Sequence, residues 1–159
     1  MEKKITGCVF DLDGTLADTA PDIAIALNNS LNDAGLRQVP LESVKEMIGN
    51  GIPVLVRRAL FHIGAPEDLA ADVVTSMLAY SRKYYCEMSS LMHGVKDCLE
   101  GLKKRGIPMS ICTNKDETVA QMVVSALGLS NYFNAIVGSR PELAKKPDPS
   151  MLQIAADAI

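Results

Sequence analysis

Apolar positions along the chain follow two rhythms, and the change from one to the other divides it into regions. Ile5–Phe10 is short, apolar and β-branched at Ile5, Thr6 and Val9. That predicts a buried strand rather than a helix, stopped by Gly14 and Thr15. Pro108–Cys112 and Asn134–Gly138 read the same way. Elsewhere the apolar residues recur at helical spacing. Ile23, Ala26, Leu27, Ser30, Leu31 and Ala34 share one face of a helix capped by Asp18 or Thr19, with Pro21 in its first turn and Gly35 at its end. Further helices are predicted over Leu41–Ile48 and over Ile52–Ile63, where Leu55, Val56, Ala59, Leu60 and Ile63 form a stripe. A fourth runs from Pro66 to about Glu87, with Leu69, Val73, Met77 and Tyr80 or Tyr84 inward.

Four helices in succession cannot belong to a strand–helix–strand alternation. The alternation resumes later, with a helix over Val95–Lys104, the strand Pro108–Cys112, a turn at Thr113–Asp116, a helix over Glu117–Leu127, the strand Asn134–Gly138 and a final helix from Ser150. Connections of that length imply parallel strands with right-handed crossovers. The expected architecture is α/β: a parallel three-stranded core from residues 1–17 and 91–159, interrupted by a helical insert over 18–90.

At 159 residues and 48% hydrophobic, the chain can bury one sizeable core with a small appended lobe. A net charge of −3 without a basic stripe argues against nucleic acid as a partner. Cys8, Cys86, Cys98 and Cys112 lack CxxC spacing. Two lie in apolar runs, so buried free thiols are expected rather than disulfides or a metal site. The amino terminus enters the first strand too soon for a signal peptide, and no apolar stretch reaches membrane-spanning length. A soluble protein of a reducing compartment, the cytoplasm, is expected.

The candidate chemistry begins at Asp11 and Asp13. If the backbone stays extended through Leu12, both carboxylates project to one side, because side chains alternate along a strand. Side by side they repel, and they are tolerated only with a cation between them or a proton on one. The plain alternative is that Asp13-Gly14 makes an ordinary turn and Asp11 caps a loop. Thr113 and Asn114 place a hydroxyl and an amide at the end of a strand, just ahead of a helix whose free N–H groups and dipole suit phosphate. They could equally cap that helix. Lys145 and Lys146 lie in a loop stiffened by Pro147 and Pro149, which is ordinarily a solvated surface. Arg57 and Arg58 could meet a substrate carboxylate or simply face solvent. His62 and His93 have no metal-ligand spacing and read as structural.

The string from Asp11 to Thr19, Asp-Leu-Asp-Gly-Thr-Leu-Ala-Asp-Thr, resembles the first motif of the haloacid dehalogenase-like phosphatases. Ile111-Cys112-Thr113-Asn114-Lys115 is similar to the second, an apolar strand ending in Thr or Ser. Lys146-Pro147-Asp148-Pro149 is similar to the third, whose Lys-Pro-x-Pro pattern singles out Lys146. Gly49–Leu60 resembles the cap segment of phosphoglycolate phosphatases in the same superfamily. The resemblance covers the whole chain but three of the family's four motifs, since the fourth, an acidic loop after a further strand, has no counterpart here. It implies an incomplete Rossmann-like core with a helical cap domain. It also implies an Mg2+-dependent phosphomonoester hydrolase acting on a small phosphorylated metabolite, such as 2-phosphoglycolate. On that reading Asp11 is the nucleophile and Asp13 the acid and base. Asp11 and the main-chain carbonyl of Asp13 are metal ligands, and Thr113, Asn114 and Lys146 hold the phosphoryl oxygens. Arg57 and Arg58 lie in the substrate-selecting cap. A phosphosugar mutase of the same superfamily is one alternative. A catalytically inactive piece that self-associates through the exposed edge of its first strand is the other.

Overall fold

The computed structural model describes residues 5–159. In chain order the elements are β1 (Cys8–Phe10), β2 (Ala17–Asp18), α1 (Ala20–Asp33), α2 (Leu41–Met47), α3 (Ile52–Ile63), α4 (Ala70–Lys83), β3 (Ser90–Leu91), α5 (Val95–Lys104), β4 (Met109–Asp116), α6 (Glu117–Ala126), β5 (Ala135–Ser139) and α7 (Ser150–Asp157). They form two compact units. One comprises residues 5–18 with Ser90–Ile159, and the other is Thr19–Ser89.

The first unit is the α/β one. Its sheet has the order β1-β4-β5, all parallel, with Cys8 opposite Met109 and Ser110 opposite Ala135. One face is closed by α7, where Met151 and Ala155 pack on Cys112 and Val137, with Val9 and Leu143 alongside. Among the described residues β1 pairs with β4 alone. A separate antiparallel ribbon pairs Ala17 with Leu91 and Asp18 with Ser90.

The second unit is helical. Leu27 and Leu31 of α1, Val44 of α2, Val56, Ala59 and Leu60 of α3, and Val73 and Met77 of α4 make one buried cluster. The apolar stripes of the four helices therefore face one another, and burying a Leu or Met in this way stabilises by about 1.5–3 kcal/mol each. Tyr80 anchors the outside of the cluster, its hydroxyl donating to Asp33 at 2.9 Å.

Several expectations need correction. The first strand is Cys8–Phe10 rather than Ile5–Phe10, and Ile5 is 60% exposed. Its ladder starts where its partner does, with the Cys8 N–H donating to the Pro108 carbonyl. The long fourth helix ends at Lys83, four residues early. Asp22, a buried carboxylate in the first turn of α1, accepts hydrogen bonds from the Met88 and Ser89 amides and draws the chain out of helical register. Thr113–Asp116 is not a turn but the end of β4, where the register shifts between Cys112 and Asp116. Ala34 is exposed rather than inward. All four cysteines are free, but Cys112 alone is buried and Cys98 is exposed. The two-residue strands β2 and β3 carry no sequence signal and were not expected.

Candidate active site

The site lies within the α/β unit, at the carboxyl ends of its parallel strands. β1 stops at Phe10, so the backbone does not stay extended through Leu12. Instead Leu12 is fully buried, and its carbonyl accepts the N–H groups of Thr15, Leu16 and Ala17 at 3.0–3.2 Å. The Gly14 N–H closes the loop on the Ala17 carbonyl at 2.8 Å. Gly14 takes φ +77°, a conformation that would strain a side-chain-bearing residue. This tight loop is rooted at Leu12, which fixes the residues on either side of it.

Those residues are Asp11 and Asp13, and each meets a lysine. Lys146 Nζ is 3.1 Å from Asp11 Oδ1, and Lys115 Nζ is 2.8 Å from Asp13 Oδ1. Each carboxylate thus has an ammonium group of its own beside it. The environments differ. The Asp11 side chain is 43% exposed, whereas Asp13 and Lys115 are 15% and 12% exposed. Asp11 Oδ1 also accepts the Leu12 N–H at 2.8 Å, which orients the carboxylate.

Lys146 is held from both ends. Its Nζ donates to the Cys112 carbonyl at 2.9 Å. Its backbone N–H donates to Asn114 Oδ1 at 2.9 Å, while Asn114 Nδ2 donates to its carbonyl at 3.2 Å. Asn114 thus clamps the loop that presents the lysine, whose peptide bond to Pro147 is cis. Thr113 is buried, and its Oγ1 accepts the Lys115 N–H at 3.2 Å. Neither residue caps α6. Asp116 does so, accepting the Val119 N–H at 3.1 Å. Cys112, adjoining the site, has its thiol pushed up by burial, with Lys146 opposing and Asp11 adding to the shift.

Arg57 and Arg58 lie in the helical unit. Arg58 is spent on the α2–α3 connection, donating to the Met47 carbonyl at 2.9 Å and to Asn50 Oδ1 at 3.0 Å. Arg57 is mostly exposed and only 3.8 Å from Glu67 Oε1. His62 and His93 join no metal-ligating cluster, and none of three or more such side chains occurs among the described residues.

A family model described as haloacid dehalogenase-like hydrolase matches residues 8–158. The chain belongs to that family. Among curated relatives, phosphoglycolate phosphatase of Pseudomonas savastanoi pv. phaseolicola is 40% identical over 149 residues, covering 91% of this chain and 54% of the relative. That of Colwellia psychrerythraea is 36% identical over 152 residues, covering 92% and 67%. Among solved structures, a predicted phosphoglycolate phosphatase from Haemophilus somnus superposes with a TM-score of 0.87 at 29% identity, covering 99% of this chain and 72% of its own. The chain spans about half the length of the first of these curated relatives.

Within this haloacid dehalogenase-like unit, two features escaped the sequence reading. Lys115 stands in the second motif, but its pairing with Asp13 depends on the register shift in β4. The other feature is the meeting of α6 and β5, where Glu117 Oε2 accepts the Gly138 N–H at 3.0 Å and Glu117 Oε1 lies 3.7 Å from Arg140 Nη1. No pattern in the chain signals it.

Proposed function

We propose that this chain carries the catalytic carboxylates of a phosphomonoester hydrolase acting on a small phosphorylated metabolite of the 2-phosphoglycolate kind. The observation that carries the reading is the Asp11–Lys146 pair, a partly exposed carboxylate held beside a cation that is itself fixed by Cys112 and Asn114. Asp11 is accessible and oriented for attack on phosphorus, giving an aspartyl phosphate that divides one difficult displacement into two. Lys146 offsets the repulsion between that carboxylate and an incoming phosphate. Asp13, in its protonated form, gives its proton to the leaving oxygen as the P–O bond breaks. It then takes a proton back from the water that hydrolyses the aspartyl phosphate. Thr113, at the end of β4, is a donor to the phosphoryl oxygens, and Asn114 acts there by holding Lys146.

The donors fit magnesium: the Asp11 carboxylate and the Asp13 main-chain carbonyl are hard oxygens, and magnesium commonly takes one or two carboxylates and keeps several waters. When bound, the ion supplies charge neutralisation for the phosphoryl group. The relatives' names support the substrate class, and of the two cap arginines Arg57 is the better placed to meet a carboxylate, since Arg58 is committed to its own loop. The helical unit is read as the cap that selects substrate.

The test is release of inorganic phosphate from 2-phosphoglycolate and from an aryl phosphate, with and without magnesium, by the chain and by Asp11→Asn. Magnesium-dependent release by the parent, abolished in the variant, is expected. Undiminished release by Asp11→Asn overturns the reading, and transfer to a sugar phosphate in place of water points to the mutase.

A further inference from the structure

We propose that Lys115 is a positioning residue for the reaction, fixing the Asp13 carboxylate where the leaving oxygen must meet it. The inference rests on the phosphatase reading above and extends it to a residue outside the three motifs' functional positions. Lys115 comes from the shifted end of β4 and Asp13 from the loop after β1, so their 2.8 Å contact ties together two segments 102 residues apart. Both side chains are largely buried, where a charge-assisted hydrogen bond is short, directional and little screened.

Stability alone is a poor reason for such a pair. Buried ion pairs are often matched by apolar residues of similar volume, because desolvation offsets the attraction. Its placement is informative instead. The Lys115 N–H donates to Thr113 Oγ1, and the adjoining Asn114 clamps Lys146, so the end of β4 sets the positions of both lysines and, through them, both aspartates. A side chain without the ammonium group at 115 removes this hold on the Asp13 carboxylate. Misplacement of about 1 Å costs on the order of 100-fold in rate.

The experiment is a double-mutant cycle on the whole chain: Lys115→Met, Asp13→Asn, the pair together, and Lys115→Arg. Lys115→Met is expected to lower kcat for an aryl phosphate by roughly 10- to 100-fold with KM changed less than about twofold. In the Asp13→Asn background the same change is expected to cost nothing further, and Lys115→Arg to recover part of the loss. An equal loss in both backgrounds, or a rise in KM alone, overturns the proposal by making Lys115 a substrate contact. Thermal melting of the parent and the same four variants is the second readout. Each single change to Met or Asn lowers Tm, and the double variant loses less than the sum. Additive Tm shifts refute the pairing. If the parent chain releases no phosphate while the melting cycle remains non-additive, it is the phosphatase reading that fails and the hold on Asp13 that stands.

Discussion

Gly138 sits where α6 begins against β5, and replacing it with alanine tests how tightly that junction sets the site. A Cβ at this position would lie 2.4 Å from the Glu117 Cα, 2.7 Å from its Cβ and 2.8 Å from its backbone nitrogen. Carbon atoms in contact ordinarily stand about 3.5–4.0 Å apart, so the start of α6 must retreat by about 1 Å. Backbone, not a flexible side-chain tip, has to move. Overpacking of this kind costs about 1–3 kcal/mol. The movement also weakens the Gly138 N–H bond to the Glu117 carboxylate, a charged acceptor worth about 1.5 kcal/mol or more. Together they give a loss of roughly 2.5–4.5 kcal/mol, a large part of the 5–15 kcal/mol typical of a folded protein. With a urea slope of about 2 kcal/mol/M, the midpoint falls by roughly 1.2–2.3 M. Urea unfolding followed by circular dichroism measures it. Gly101→Ala is the control, because a Cβ there meets nothing within 4 Å and the residue lies inside α5. It should raise stability by about 0.5–1 kcal/mol. A Gly138→Ala midpoint equal to the parent's would refute the account. The displacement adjoins Asp116, so hydrolysis should fall on the order of 100-fold as well.

Three further outcomes follow from other parts of the molecule. Asp22→Ala removes the acceptor for the Met88 and Ser89 amides and should cost about 3 kcal/mol, with faster hydrogen exchange at those two amides; unchanged exchange would contradict the role given to Asp22. Asn114→Ala frees the Lys146 backbone at both its N–H and its carbonyl, so stability should drop by about 1–2 kcal/mol and phosphate release by roughly tenfold, and full activity would show the clamp to be dispensable. Burial pushes the Cys112 thiol up, so the stability it contributes is whole below the usual thiol range near pH 8.5 and is lost as pH rises through the higher folded value. Iodoacetamide labelling read by mass spectrometry should therefore find Cys112 lagging the exposed Cys98 at pH 8, and equal rates would rule this out.

Some of this protein was determined locally and was legible in the chain. The α3 boundaries, the stripe from Leu55 to Leu60 and the start of α5 follow from spacing and from flanking glycines, which act within a few residues. The Asp11-Leu12-Asp13-Gly14 string was legible as a motif, but its backbone was not: a tight loop with Gly14 at φ +77° and Leu12 buried replaces the extended run expected through Leu12. Ends of elements were less so. β1 begins only where Pro108 offers an acceptor, and α4 stops because Asp22, some 60 residues earlier, holds Met88 and Ser89.

The charges at the site were decided in three dimensions. The sequence announced two carboxylates in want of positive charge, and the Lys-Pro-x-Pro pattern pointed to Lys146, but nothing in it singled out Lys115 from the chain's 16 basic residues as the partner of Asp13. A lysine reaches several ångströms in any direction, so its partner is chosen by where the backbone puts its Cα. The register shift in β4 sends Lys115 to Asp13, and the Asn114 clamp sends Lys146 to Asp11. Local sequence set the conformation of each segment. Only the packing of β1 against β4, and of the loop before α7 against both, set which charges meet.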